Sequence, residues 1–156
     1  MEKIEQIKKE LKNMLSEKRY IHSIGVMKMA SELAKIYNVD IEMAQIAGLL
    51  HDNAKEMTDE EMLQYVKENN IKISETEKNS IQLLHGKIGA DIAKKKYGVS
   101  EQIAKAIEYH TTTNPNMDTL AKIIYVSDKI ELNRKTEKYD IKAERKLAKE
   151  NLNKAM

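Results

Sequence analysis

The chain has 156 residues, 33% of them charged and 41% hydrophobic, which fits one soluble globular domain with a core of its own. Its 27 basic and 25 acidic side chains leave a net charge of +2, too small an excess for a dedicated nucleic-acid binder. The absence of cysteine excludes disulfides, Cys-ligated zinc and iron–sulfur clusters.

Helix formers dominate, with one proline and five glycines, so the predicted fold is all-α with eight or nine helices and no sheet. The first helix is expected over residues 2–15, with Ile4, Ile7, Leu11 and Met14 on one stripe. No targeting segment is visible in it, and the longest apolar run, residues 46–50, is too short to span a bilayer. A second helix over 19–37 carries His22, Val26, Met29, Leu33 and Ile36 on one face, and Asp40 caps a third that turns Ala44, Ala47, Gly48 and His51 inward. Thr58 and Ser74, each followed three residues on by a glutamate, read as capping boxes, the first opening a helix to Asn69 and the second a helix to Leu84. His85-Gly86 reads as a break before a helix to Tyr97, with Gly98 beyond its end. Ser100 caps a helix on which Ile103, Ala106, Ile107 and His110 align. After a loop around Pro115, Asp118 caps one bearing Ala121, Ile124 and Asp128. A charged helix over 140–156 ends the chain, and the whole reads as one domain.

All four histidines and Asp128 thus fall on faces expected to point inward. Burying even neutral polar groups without partners costs roughly 2–7 kcal/mol. Each alone has an ordinary reading: His22 and His110 as core histidines bonded to a carbonyl, His85 as a helix-start residue, Asp128 as an exposed acid. The adjacent pair His51-Asp52 is different, because neighbouring helical residues point about 100° apart and reach one site together only near a helix end. The small residues one turn earlier, Ala47 and Gly48, allow another helix to come close. His22, His51, Asp52, His85, His110 and Asp128 supply more donors than one catalytic metal takes, about three plus water. They suit two cations spaced roughly 3.5–4 Å apart around a shared carboxylate. Nitrogen and oxygen donors favour iron, manganese, cobalt or zinc over calcium or magnesium.

In this order the motifs resemble the HD-domain superfamily of metal-dependent phosphohydrolases. Five segments, residues 19–26, 47–55, 84–86, 109–112 and 128–131, resemble its symmetrical bis(5′-nucleosyl)-tetraphosphatase branch, and the likeness runs from about Arg19 to Arg134. The resemblance implies a two-iron centre that splits diadenosine tetraphosphate into two ADP, and the cysteine-free composition suits the cytoplasm. By position, His22, His51, Asp52 and Asp128 would hold one metal, and His85 with His110 the other, bridged by Asp52. A hydroxide held at Asp52 would attack an inner phosphorus in line. Two departures stand out. Residues 113–116 lack the glycine and basic residue the branch more often has, and the chain ends sooner than expected, which would weaken nucleoside binding or a dimer contact.

Around the ligands, Lys55 is expected to contact phosphate or orient Asp52, with a solvated lysine as the alternative. Thr111 and Thr112 would donate to phosphate or cap a helix end, and Arg134 would clamp phosphate or lie on the surface. Without Trp or Phe, an aromatic clamp for adenine would come from tyrosine, and Tyr20, Tyr109 and Tyr125 neighbour the motifs. The partner is a small nucleotide, not nucleic acid or membrane, with a homodimer through apolar helix faces in view. Other readings stay open: an HD phosphohydrolase of a dNTP, a nucleoside monophosphate or guanosine tetra-/pentaphosphate, an oxygenase on the same scaffold, or a non-catalytic helical module.

Overall fold

The computed structural model describes residues 2–112, 114–134 and 139–156. The described residues form α1 (Glu2–Met14), α2 (Glu17–Ile36), α3 (Ile41–Leu50), α4 (Asp59–Glu68), α5 (Glu75–Asn79), α6 (Leu84–Tyr97), α7 (Glu101–Glu108), α8 (Thr119–Ile130), α9 (Ile141–Glu150) and α10 (Leu152–Ala155), with no strand among them. The fold is all-α, as expected. Among the described residues no helix is long and apolar enough to cross a membrane.

The starts of these helices follow from side chains that accept from the otherwise unpaired N–H groups. Ser16, Asp40, Ser100, Asp118 and Asp140 each cap the helix that follows, and Thr58 and Ser74 form full capping boxes with Glu61 and Glu77. Three expectations change. The second capping box opens only the short α5, and the break falls at Ser80, followed by a 3-10 turn over Ile81–Leu83. His85 and Gly86 therefore sit in the first turn of α6 rather than in a break. The C-terminal segment is two helices, because Asn151 adopts an extended conformation and caps α10. The split at Asn151 raises the count among the described residues to ten.

α2 is the central helix, packed along α3 on one side and α8 on the other, with α7 bridging α3, α6 and α8. The α2–α3 crossing is close because Gly48 has no side chain: a Cβ there would lie 3.0 Å from the Met27 Cα. The main core is aliphatic and includes Ile7, Leu11, Leu33, Leu49, Ile107, Leu120 and Ile124. A smaller cluster of Ala54, Met62, Val66, Leu84 and Ile88 seats α4 against α6. Two stripes turn outward at their ends. Met14 is 50% exposed and Ile36 44%, each in the last turn of its helix, and Leu15 takes the buried place that Met14 was expected to fill.

Gly86 brings α6 against the end of α7. A Cβ there would stand 2.7 Å from both the Glu108 carbonyl oxygen and Thr111 Oγ1. Backbone cannot yield cheaply, so Gly86→Ala is expected to cost about 1–3 kcal/mol, the range for overpacking. Thermal unfolding checks this, and an unchanged Tm would refute the close approach.

Candidate metal centre

Four helix ends and one helix interior deliver the polar residues to one place. α3 ends at Leu50, and the chain continues in tight turns, with Asn53 N–H donating to the Leu50 carbonyl (3.1 Å) and Lys55 N–H to that of Asp52 (3.0 Å). That change of path lets the adjacent His51 and Asp52 face the same point. Asn53 pins the turn: its side-chain amide donates to the Leu50 carbonyl (2.8 Å) and the Gly89 carbonyl of α6 (3.1 Å). His85 comes from the first turn of α6, His110 from just past α7, Asp128 from the last turns of α8 and His22 from within α2.

Six predicted residues converge. His22, His51, Asp52 and Asp128 offer donor atoms within 4.8 Å of one another, as do Asp52, His85 and His110. Asp52 belongs to both groups, and its two oxygens face different ways. Oδ2 lies 3.2 Å from His51 Nε2 and 3.6 Å from His22 Nε2, whereas Oδ1 lies 3.1 Å from His110 Nε2 and 3.5 Å from His85 Nε2.

The outer ring nitrogens are all engaged. His51 Nδ1 meets the Gly48 carbonyl at 2.7 Å, His85 Nδ1 that of Gln82 at 2.6 Å and His110 Nδ1 that of Ile107 at 2.5 Å. A carbonyl only accepts, so each Nδ1 carries the proton, and in a neutral ring Nε2 turns its lone pair inward. His85 and His110 then oppose lone pairs, with their Nε2 atoms 3.0 Å apart. His51 Nε2 is buried and makes no well-formed hydrogen bond. The unpaired His51 Nε2 and the other inward-aimed ring nitrogens, gathered around two carboxylates, are a donor set that a cation satisfies. The residues present therefore fit divalent metal.

The electrostatics agree. Burial works to raise the Asp52 carboxyl, but His51, His110 and His85 hold its pKa well below the ordinary range. Burial opposes ionisation of Asp128 as well, and His22 and His51 outweigh it. Burial disfavours a charged His22, yet hydrogen bonds with Asp128 (2.7 Å) and Glu131 (2.8 Å) raise its pKa. For His51 the charges of Asp52 and Asp128 exceed the burial penalty, whereas for His110 burial prevails and its pKa is lowered. The pocket thus keeps its carboxylates ionised, ready for cations.

Above the cluster lies a cavity of about 270 Å³, lined by Arg19, Lys55, Thr111 and Arg134 along with Asp52, His85, His110 and Asp128. Lys55 and Arg134 both line this cavity. Arg134 also donates from Nε to the Asp128 carbonyl (2.8 Å). The Thr111 hydroxyl donates to the Glu108 carbonyl (3.3 Å), the capping alternative, while still lining the cavity. Thr112 is exposed and lines a neighbouring depression instead. Thr113, part of the departing segment, lies outside the described residues.

Three residues inside the motifs had been given no role. Arg19 places Nη1 3.3 Å from Asp52 Oδ2, and Asn53 and Glu131 act as described above. Spacing held a signal for two of them: Arg19 precedes His22 by three residues and Glu131 follows Asp128 by three, one helical turn in each case.

A bundle with this divided His/Asp cluster defines a class: the chain belongs to the HD-domain family, whose pattern matches residues 19–133. It is 41% identical over 147 residues to the symmetrical bis(5′-nucleosyl)-tetraphosphatase of Bacillus subtilis, spanning 94% of this chain and 77% of that protein. The enzyme of that name from Staphylococcus aureus is 37% identical over 82% of this chain and 66% of its own length. The fold matches a crystal structure from Clostridium acetobutylicum, described as a predicted HD superfamily hydrolase involved in NAD metabolism, with a TM-score of 0.91 and 44% identity, covering 97% of this chain and 79% of that one.

Proposed function

We propose that this protein hydrolyses diadenosine tetraphosphate symmetrically. Water adds across the central phosphoanhydride, the bond between the inner phosphorus and the bridging oxygen breaks, and two ADP leave. The observation that carries this reading is a pair of donor groups joined through one carboxylate, Asp52, in a chain 41% identical to a tetraphosphatase of that specificity.

In this reading His22, His51, Asp52 and Asp128 hold one cation, and His85, His110 and Asp52 hold a second. Iron is the first choice, with manganese, cobalt and zinc as alternatives. When bound, a pair of such cations lowers the pKa of a bound water and offsets charge on the attacked phosphate. The chain supplies the rest. Asp52 fixes the spacing of the two groups and is the catalytic carboxylate. Lys55, Arg19 and Arg134 set positive charge at the mouth, where the planar guanidinium groups suit phosphate oxygens. Thr111 offers a hydroxyl beside them, and Thr112 stands further out. The substrate is a small nucleotide. Neither nucleic acid nor membrane is a partner in this reading, which also places the protein in the cytoplasm as a homodimer.

Chromatography of the products tests the reaction. ADP is expected as the sole nucleotide from diadenosine tetraphosphate, and a mixture of AMP and ATP would rule out the symmetrical cut.

Glu131 is a positioning residue in this scheme. Its buried carboxylate accepts a hydrogen bond from His22 Nδ1–H, and its main chain is held in turn by Arg145 of α9, which donates to the carbonyls of Ile130 (2.7 Å) and Glu131 (2.9 Å). Losing such an outer partner typically weakens metal binding about 10–100-fold. Glu131→Gln is therefore expected to release cation to a competing chelator within that range, and an unchanged affinity would remove Glu131 from the scheme.

A further inference from the structure

The cavity over the cluster does not stand alone. On the His22 side it adjoins a depression of about 580 Å³ that shares Arg19 and Arg134 with it. On the other side it adjoins a depression of about 440 Å³ that shares Thr111 and includes Leu83 and Lys87, neighbours of His85 in sequence. Both flanking volumes fall within the roughly 300–1,000 Å³ of small-molecule pockets, and the middle one falls just short.

Arg19, Lys55 and Arg134 crowd the centre. Beyond Arg19 and Arg134, the larger depression adds Ile21, a large apolar side chain left 43% exposed, beside Asn133 and the charged Lys18, Glu17 and Glu131. The smaller offers apolar surface from Leu83 and Tyr109, with hydroxyl and amide groups on Thr76, Thr112 and Asn114. The one lysine there, Lys87, is already bonded to Glu77 (2.8 Å) and the Lys72 carbonyl (3.0 Å). Cationic groups therefore line the centre and the edge it shares with the larger depression, and both flanks combine apolar faces with polar groups.

We propose that the two flanking depressions are separate nucleoside seats, so that a ligand with a nucleoside at each end lies across the cluster with its inner phosphates over Asp52. This rests on the dinucleoside polyphosphate reading above. It also explains the symmetry of that cut: the donor groups sit between two seats, so the bond presented to them is the middle one.

Product binding tests the seats apart from catalysis. Titration calorimetry of manganese-loaded protein with ADP is expected to give two ADP per chain. Thr76→Trp, an exposed position in the smaller seat, is expected to leave one, and Ile21→Trp in the larger seat also one. Leu83→Trp replaces Thr76→Trp should the latter fail to fold by circular dichroism. Each variant is expected to raise KM for diadenosine tetraphosphate by at least about fivefold, the loss of binding shared by ground and transition states. One ADP on the unaltered protein, or two on both variants, would overturn the proposal. Two ADP bound without cleavage of diadenosine tetraphosphate would leave the seats standing and reject the activity instead.

Discussion

Asp52→Ala is expected to lower kcat/KM on the order of 10³-fold or more, because one side chain serves both donor groups and its loss removes shared metal and aligned water together. Its oxygens sit 3.1 Å from His110 Nε2 on one side and 3.2 Å from His51 Nε2 on the other, so no neighbour can replace it. Metal content should fall with activity. Asp52→Asn keeps the shape and loses the charge, which separates packing from ligation: it should fold like the parent and still bind less metal. Elemental analysis beside a turnover assay gives the answer. Wild-type turnover in the alanine variant would end the bridging role.

Stripping the cations is the second large effect. A ligand present at 100 to 1,000 times its Kd stabilises the folded state by about 2.7–4.1 kcal/mol. For a chain of this size each kcal/mol moves Tm by about 2–4 °C, so chelation is expected to lower Tm by about 5–15 °C, and added manganese or iron to restore it. The cause is local. Without a cation the Nε2 atoms of His85 and His110 face each other at 3.0 Å, and buried His51 Nε2 has no partner of good geometry. A melting curve indifferent to chelator and metal would favour a non-catalytic helical module.

Much of this was legible in the sequence because helix periodicity and capping chemistry are local. Asp40, Thr58, Ser100 and Asp118 announce their helices by type and offset, and each makes the expected bond. The six cluster residues were legible for a related reason: polar groups on faces otherwise apolar have few explanations. What stayed hidden depends on distant partners. Nothing near Ser80 says that the chain must turn there, since the need arises where Gly86 meets Glu108 and Thr111. Asn53 looks like any turn residue until Gly89 of α6 is beside it. Glu131 and Arg19 stand one turn from residues of the cluster, yet charged residues at such offsets usually face water, and only the fold shows them turned toward His22 and Asp52.

The anchoring of the imidazoles has a consequence for metal choice. Three rings are fastened by their outer nitrogen to a carbonyl three residues earlier in the same chain. Their aim is therefore set by backbone before any ion arrives, and exchanging one first-row ion for another requires no rearrangement. Mixed imidazole and carboxylate donors discriminate weakly among such ions. Occupancy should then track whichever ion the surroundings supply, and one polypeptide purified from differently supplemented cultures should carry different metals on the same scaffold.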